Sequence, residues 1–463
     1  MSSGALGALS TSVAAAPGER DLSARSERWW AGYALLPSGL GRDVTFEVAG
    51  GRFTAVTTGT RPGSALVLPG VVLPGLANAH SHAFHRALRG RTHDGGGTFW
   101  TWRRRMYAVA AQLDPETYLA LATATYAEMA LAGITTVGEF HYLHHAPGGA
   151  SYDDPNAMGE ALRHGAADAG IRLTLLDTCY LAGGLSAAGH SPLDSMQRRF
   201  GDGDADHWAQ RVEGLKESAG MRVGVAAHSV RAVPRDQLGV VASAAAGRPL
   251  HVHLSEQLAE NQSCHWFYGL TPTALLEAEG LLGPTTSAVH ATHLSDEDIT
   301  LLGSSRTTAC LCPTTERDLA DGIGPARRLF DAGSPLSLGS DQHAVIDLIE
   351  EARALEMHER LDSMQRGRFH PDELLAAATR HESLGWDDAG RLEAGARADL
   401  VAVRLDSRRT AGSAPEQIMM SAGAADVDTV IVDGATVVKG GEHVLGNVGA
   451  LLEKAIQPLW ESA

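Results

Sequence analysis

The sequence predicts an α/β protein: a (β/α)8 TIM-like barrel with a small discontinuous β-sandwich formed by both chain ends. Three observations lead there. Eight short runs rich in Val, Ile and Leu recur between longer Ala/Leu/Arg stretches of helical period, the alternation of a parallel sheet with crossover helices. No GxGxxG follows the first run, which argues against an open dinucleotide-binding sheet. And β-rich segments joined by Gly-containing turns bracket the set at both ends of the chain.

The eight runs are Val72–Asn78, Ile134–Gly138, Arg172–Leu176, Arg222–Ala226, Pro249–His253, Ser287–His290, Thr307–Leu311 and Pro335–Gly339. Before them, Val44–Val48, Arg52–Val56 and Ala65–Leu68 read as antiparallel strands, turning at Ala49-Gly50-Gly51; after them, Asp399–Val403 and Val427–Val438 do the same, turning at Asp433-Gly434. The expected organisation is a flexible leader over residues 1–17, the sandwich over 18–75 and 395–450, the barrel over 76–394, and a C-terminal helix or tail over 451–463.

Composition sets the class of partner. With 463 residues, 44% hydrophobic and 20% charged, the chain can bury a large core. Its net charge of −17 works against nucleic acid and against anionic membrane, both of which need a basic surface. An anionic small molecule held by local arginines stays compatible. Lysine occurs only at Lys216, Lys439 and Lys454. No apolar run reaches the ~18 residues needed to span a bilayer, and the Ala/Ser/Gly-rich start lacks the pattern of a secretory signal. The four cysteines, Cys179, Cys264, Cys310 and Cys312, form no CxxC pair and read as buried thiols of a cytoplasmic protein.

Chemistry gathers at the ends of the predicted strands. His80 and His82 sit two apart at the end of the first run, and the period of two sends both imidazoles to one face. A convergent pair of neutral imidazoles suits a divalent transition metal. PLHVHLSE adds His251 and His253 with Glu256 beyond; SAVHATH adds His290 and His293; SPLSLGSD ends in Asp341. Any one of these alone is an ordinary structural histidine or capping aspartate. Together, at the ends of strands that close into a barrel, they converge on one volume, the face where barrel active sites are built.

At these residues the chain resembles the amidohydrolase superfamily, and more narrowly its formimidoylglutamate deiminases. The likeness runs through ALLPSGLGRDV, GLANAHSHAFHRALRG, FWTWRRRMY, TTVGEFHYLHH, HSVRAV, HVHLSEQ, CLCPTTERDLADGI, LGSDQH and GRLEAGARADL. HxH, HLSEQ and SD carry the superfamily; FWTWR, EFHYLHH and HSVRAV carry the narrower match. The resemblance implies one metal ion, Zn²⁺ or Fe²⁺, held by His80, His82, His253 and Asp341. It makes Glu256 and His290, with Asp341, the proton-handling groups. One ion agrees with the residues themselves, because the only central lysine available to bridge a second is Lys216, in a helical stretch. His293 is expected to be structural.

The substrate the resemblance implies, formimidoyl-glutamate, carries two carboxylates and a cationic amidine, so planar cations are expected at the barrel mouth. Arg103, Arg231, His228 and Tyr142 match the deiminase pattern as substrate contacts, with His85 standing where the family has glutamine. Arg317 and Asp318, where the family has uncharged residues after Glu316, are a second departure. The expected partners are a small anionic substrate and a second copy of the chain in a homodimer, with neither nucleic acid nor membrane. A related deaminase acting on a purine, pterin or guanidino compound is the alternative, and it would place aromatic residues in the pocket for stacking.

Overall fold

The computed structural model describes residues 26–93 and 99–461. The leader expected over residues 1–17 lies outside the described residues. Eight parallel strands form one sheet: β1 (Leu76–Ser81), β2 (Ile134–His141), β3 (Arg172–Cys179), β4 (Met221–Ala227), β5 (Leu250–Leu254), β6 (Thr286–His290), β7 (Thr308–Leu311) and β8 (Leu336–Leu338). They are hydrogen bonded in chain order, and an isolated parallel bridge between Ser81 and Asp341 brings β8 back to β1, so the sheet closes as a barrel. Every residue of β1, β2, β3 and β5 is buried, as a strand covered by helices outside and side chains inside requires.

Two crossover helices show the local chemistry that bounds them. The helix Pro115–Leu131 starts where the Asp114 carboxylate accepts from the Thr117 backbone N–H, with Pro115 at its first position. The helix Ala157–Ala169 ends at Gly170 in the left-handed conformation (φ 77°), which turns the chain straight into β3. The excursion between β3 and β4 carries a short hairpin, Gly184–Ser186 with Gly189–Ser191, whose first strand lines the mouth of the barrel.

The first predicted run proves to be two elements. Val72 and Leu73 finish a strand of the second unit, Leu66–Pro74, and the barrel strand begins only at Leu76. Gly75 makes the passage: a Cβ there would lie 2.3 Å from the Thr135 hydroxyl and 2.8 Å from the Asp399 Cβ. The second unit is one eight-stranded sheet drawn from both chain ends. Its strand Ser26–Leu36 was not anticipated, and it pairs in parallel with Leu66–Pro74, so the sheet is mixed rather than wholly antiparallel. Its edge strand Arg52–Thr57 bonds back to the segment at 395–398, through Phe53 N to Ala396 O and Ala398 N to Gly51 O. The sheet therefore folds over its own core of Trp29, Phe46, Phe53, Val72, Leu400 and Ile431.

Two further contacts bind the units. Buried Arg172 of β3 pairs with Asp399 and, at 3.0 Å, with Asp433 of the sheet. The C-terminal helix Val448–Glu461 begins three residues before the expected position, and its Trp460 Nε1 donates to Ala87 O beside the barrel. All four cysteines are free and buried. Lys216 lies in an exposed loop past the helix Ala205–Glu213, not within a helix, and so cannot reach the barrel interior.

Candidate active site

The strand ends bring His80, His82, His253 and Asp341 together, their donor atoms all within 4.8 Å of one another. His80 Nε2 stands 3.2 Å from His253 Nε2 and 3.3 Å from Asp341 Oδ1, and His82 Nε2 stands 3.4 Å from the same oxygen. A tetrahedral ion with bonds of about 2.0–2.1 Å would separate its ligands by about 3.3–3.4 Å, so these spacings are already those of a coordination shell. Two of the imidazoles are oriented from behind. His82 Nδ1 donates to Phe140 O and His253 Nδ1 to His228 O, each at 2.9 Å, which leaves both Nε2 lone pairs facing the centre.

The charge states suit a cation. Burial pushes His80 down to about 3, and burial together with the neighbouring imidazoles holds His253 well below the ordinary histidine range. Burial alone would raise Asp341, but the hydrogen bond from His80 and the surrounding imidazoles hold it below the usual carboxylate range. Three neutral nitrogens and one carboxylate form the donor set of a transition-metal site.

Beside it stand Glu256, just past β5, and His290, the last residue of β6. His290 Nε2 is 4.0 Å from Glu256 and its Nδ1 is 3.5 Å from Glu316. Burial alone would lower His290, but the carboxylates of Glu256, Glu316 and Asp341 push it up to about 10. Ser255, His290 and Asp341 all take positive φ, at 52°, 69° and 39°. Such strain at non-glycine residues costs about 1–3 kcal/mol each and persists where surrounding structure enforces it.

A cavity of about 390 Å³ opens above this cluster. His85, Arg103, Tyr142, His228 and Arg231, five residues singled out as substrate contacts, all line it. Arg103, on the helix Phe99–Gln112, is half-buried and donates to Tyr107 at 2.6 Å and Tyr180 at 3.4 Å, so it faces the cavity and not the outer surface. Arg231 makes an ion pair with buried Glu260 at 2.9 Å and lies 3.7 Å from Glu256. His85 is within 2.9 Å of the Tyr142 hydroxyl, and burial holds it well below the ordinary histidine range, so it is neutral. Arg317 and Asp318 pair with Glu350 and His93, and neither lines the cavity; His293 is also outside it.

Several groups were not anticipated. Glu260, Glu316 and Glu139 are buried carboxyl groups, and only the last two stood within quoted motifs. Tyr107, Tyr180 and Phe200 add an aromatic wall. Their signal in the sequence is weak, because each acts through a partner far away along the chain. Among the described residues a second group, His141, His144 and Asp177, also has metal-like spacing. There, however, Arg211 takes both Asp177 oxygens at 2.8 and 2.9 Å, and His144 Nε2 donates to Thr178 O, so the carboxylate and one imidazole nitrogen are already engaged.

The chain belongs to the amidohydrolase family, whose model matches residues 71–437. It is thus a member of a metal-dependent class of hydrolases acting on carbon–nitrogen bonds. More narrowly, residues 29–65 match the N-terminal domain of formimidoylglutamate deiminase HutF. A formimidoylglutamate deiminase from Pseudomonas aeruginosa is 36% identical, with 89% of this chain and 94% of that protein covered. An 8-oxoguanine deaminase from the same organism is 32% identical, with 79% of this chain and 81% of that protein covered. The crystal structure of an amidohydrolase from Brucella melitensis superposes with a TM-score of 0.87 at 33% identity, covering 94% of this chain and 99% of that one.

Proposed function

We propose that the chain hydrolyses N-formimidoyl-L-glutamate to N-formyl-L-glutamate and ammonia, with one divalent ion, Zn²⁺ in preference to Fe²⁺, held by His80, His82, His253 and Asp341. The observation that carries the substrate is that Arg103 and Arg231 reach one cavity whose floor is this donor cluster. A substrate with two carboxylates needs fixed guanidinium groups at the mouth of a chain whose net charge is −17. The likeness to the deiminase over 89% of this chain and 94% of that protein supports the same reading.

Bound in such a set, a divalent ion supplies Lewis acidity, which lowers the pKa of water from about 16 toward about 7. The protein's own residues do the rest. Asp341 accepts the proton taken from the attacking water, while His290, which the carboxylates of Glu256, Glu316 and Asp341 keep protonated, donates to that water and orients it. Glu256 delivers a proton to the amidine nitrogen, so that the carbon–nitrogen bond breaks with ammonia as the leaving group, a task worth about 10²- to 10⁴-fold. Arg231, His228, Arg103, Tyr142 and His85 bind and orient the two carboxylates. A single ion suffices: Lys216 is remote, and both oxygens of Glu139 face Ser81 and Ala83.

We place the enzyme in the cytoplasm as a homodimer, to be tested by light scattering of the purified protein. Among the described residues no helix is long and apolar enough to cross a membrane. The aromatic wall favours one second reading, a purine or pterin deaminase. Ammonia release measured with formimidoyl-glutamate, formimidoyl-aspartate, guanidino-glutarate and 8-oxoguanine decides between them. Turnover of the purine without turnover of formimidoyl-glutamate would end the carboxylate assignments and leave the metal site standing.

A further inference from the structure

The barrel's seam is its thinnest pairing. Ladders of several residue pairs join β1 through β8, but β8 returns to β1 through one bridge, at Ser81 and Asp341. Three of the four donors, His80, His82 and Asp341, sit on this seam, so its geometry is the geometry of the site. Backbone bonds cross it from Ser340 N and Asp341 N to His80 O, and from His82 N to Asp341 O. Gly339 permits the approach, since a Cβ there would come within 2.7 Å of the His80 Cβ.

Behind the donors runs a buried chain of side chains. Asn78 donates to the Ser340 hydroxyl at 2.7 Å and accepts from Ser340 N at 3.0 Å. His343 spans the Ser340 hydroxyl at 2.9 Å and the Ser81 hydroxyl at 3.3 Å. Ser81 in turn donates to Glu139 Oε2 at 2.7 Å, while Ala83 N donates to Glu139 Oε1 at 2.6 Å. Glu139 is fully buried, belongs to a different strand, β2, and takes no part in the chemistry assigned above. Its two oxygens grip the two residues on either side of His82.

We propose that Glu139 is a positioning residue for the metal site: its carboxyl group clamps Ser81 and Ala83, holds His80 and His82 at ligand spacing, and through Ser81 and His343 ties them to the strand end that bears Asp341. This rests on the donor cluster being a metal site, so the test measures the wild-type protein first. Zinc affinity is read by competition with a chromophoric chelator, on metal-stripped protein, for wild type, Glu139→Ala, Glu139→Gln, Ser81→Ala and Glu356→Ala. Glu356 is the control, a buried carboxylate that holds Gly367 N, Arg368 N and Phe369 N at a distance from the site. Groups that orient ligands typically contribute about 10- to 100-fold to affinity, so Glu139→Ala is expected to weaken zinc by that factor. Glu139→Gln, which keeps an acceptor for Ala83, restores most of it, and Glu356→Ala lowers the melting temperature without changing affinity. Should Glu139→Ala not fold, Ser81→Ala carries the test and is expected to weaken zinc by at least about threefold. Wild-type affinity in Glu139→Ala, or in Ser81→Ala when the former does not fold, overturns the proposal. So does an equal loss in Glu356→Ala. A wild-type protein that binds no zinc or iron overturns the site reading on which it stands.

Discussion

Arg231 and Glu256 separate recognition from chemistry although they lie 3.7 Å apart. Losing a charged hydrogen bond costs about 1.5–3 kcal/mol, so Arg231→Met should lower kcat/KM for formimidoyl-glutamate by about 10- to 150-fold. The same change leaves buried Glu260 without its cation, so Glu260→Gln belongs in the series to separate lost substrate contact from a disturbed pocket. Glu256→Gln should lower kcat by about 100-fold or more while elemental analysis still finds one ion per chain, because a proton carrier is removed and no ligand is. Asp341→Ala should lose both ion and activity. One tightly held ion in that variant, or two in the wild type, would contradict the assigned ligand set. Glu256, Asp341 and Arg231 were expected from the family likeness, and His80 and His82 were legible from spacing, because histidines two apart on a strand point to one face. Glu260 and Glu316 were not, because nothing in their neighbourhood along the chain announces a partner.

Among the elements, β3 carries the joint between barrel and sheet. Arg172 and Asp399 are both fully buried and lie 227 residues apart, with Asp433 as a third member and the Trp386 ring 5.3 Å from the guanidinium carbon. Removing one partner of a buried ion pair strands the other and costs about 3–5 kcal/mol. Arg172→Met should therefore lower the melting temperature by several degrees while leaving the substrate KM of the surviving folded enzyme unchanged. A KM change with unaltered stability would show that the joint transmits to the site. Seven of the eight barrel strands fall within a few residues of the predicted runs, since buried parallel strands advertise themselves as apolar stretches between helices. The first was misjudged because the apolar stretch continues through Gly75 from one unit into the other. Ser26–Leu36 was missed because its partners lie in two other strands.

Over the whole molecule, buried histidines make stability depend on acid. Burial pushes His381 down to about 4, with Arg172 and Arg391 adding to the effect and Asp399 and the bond to Gly75 O opposing it. Burial and Arg211 bring His144 to about 4 as well, against Asp177, Asp202 and its bond to Thr178 O. Both are depressed below the unfolded value near 6.5, so the unfolded chain binds protons first as pH falls. The stability they contribute is complete above pH 6.5 and is lost as pH falls through about 4, up to about 3 kcal/mol for each. The urea midpoint should decline across that window, and His381→Gln, which can still donate to Gly75 O, should flatten the decline. A midpoint independent of pH between 7 and 4.5 would refute this account.

What the sequence determined by itself is what short-range periodicity can encode. It specified which stretches become buried parallel strands, which side chains end them, and that the ends of the chain form a separate β unit. It also showed a net charge of −17 and placed Arg103 and Arg231 in motifs of the resembled family. The tertiary structure alone decided which groups meet: the seam that sets His80 and His82 against Asp341, the carboxyl of Glu139 against Ser81 and Ala83, the aromatic wall, and the pairing of Arg231 with Glu260. The reason is physical. Strand period and burial are settled within a few residues, whereas Asn78 and Ser340, 262 positions apart, meet only because the barrel closes.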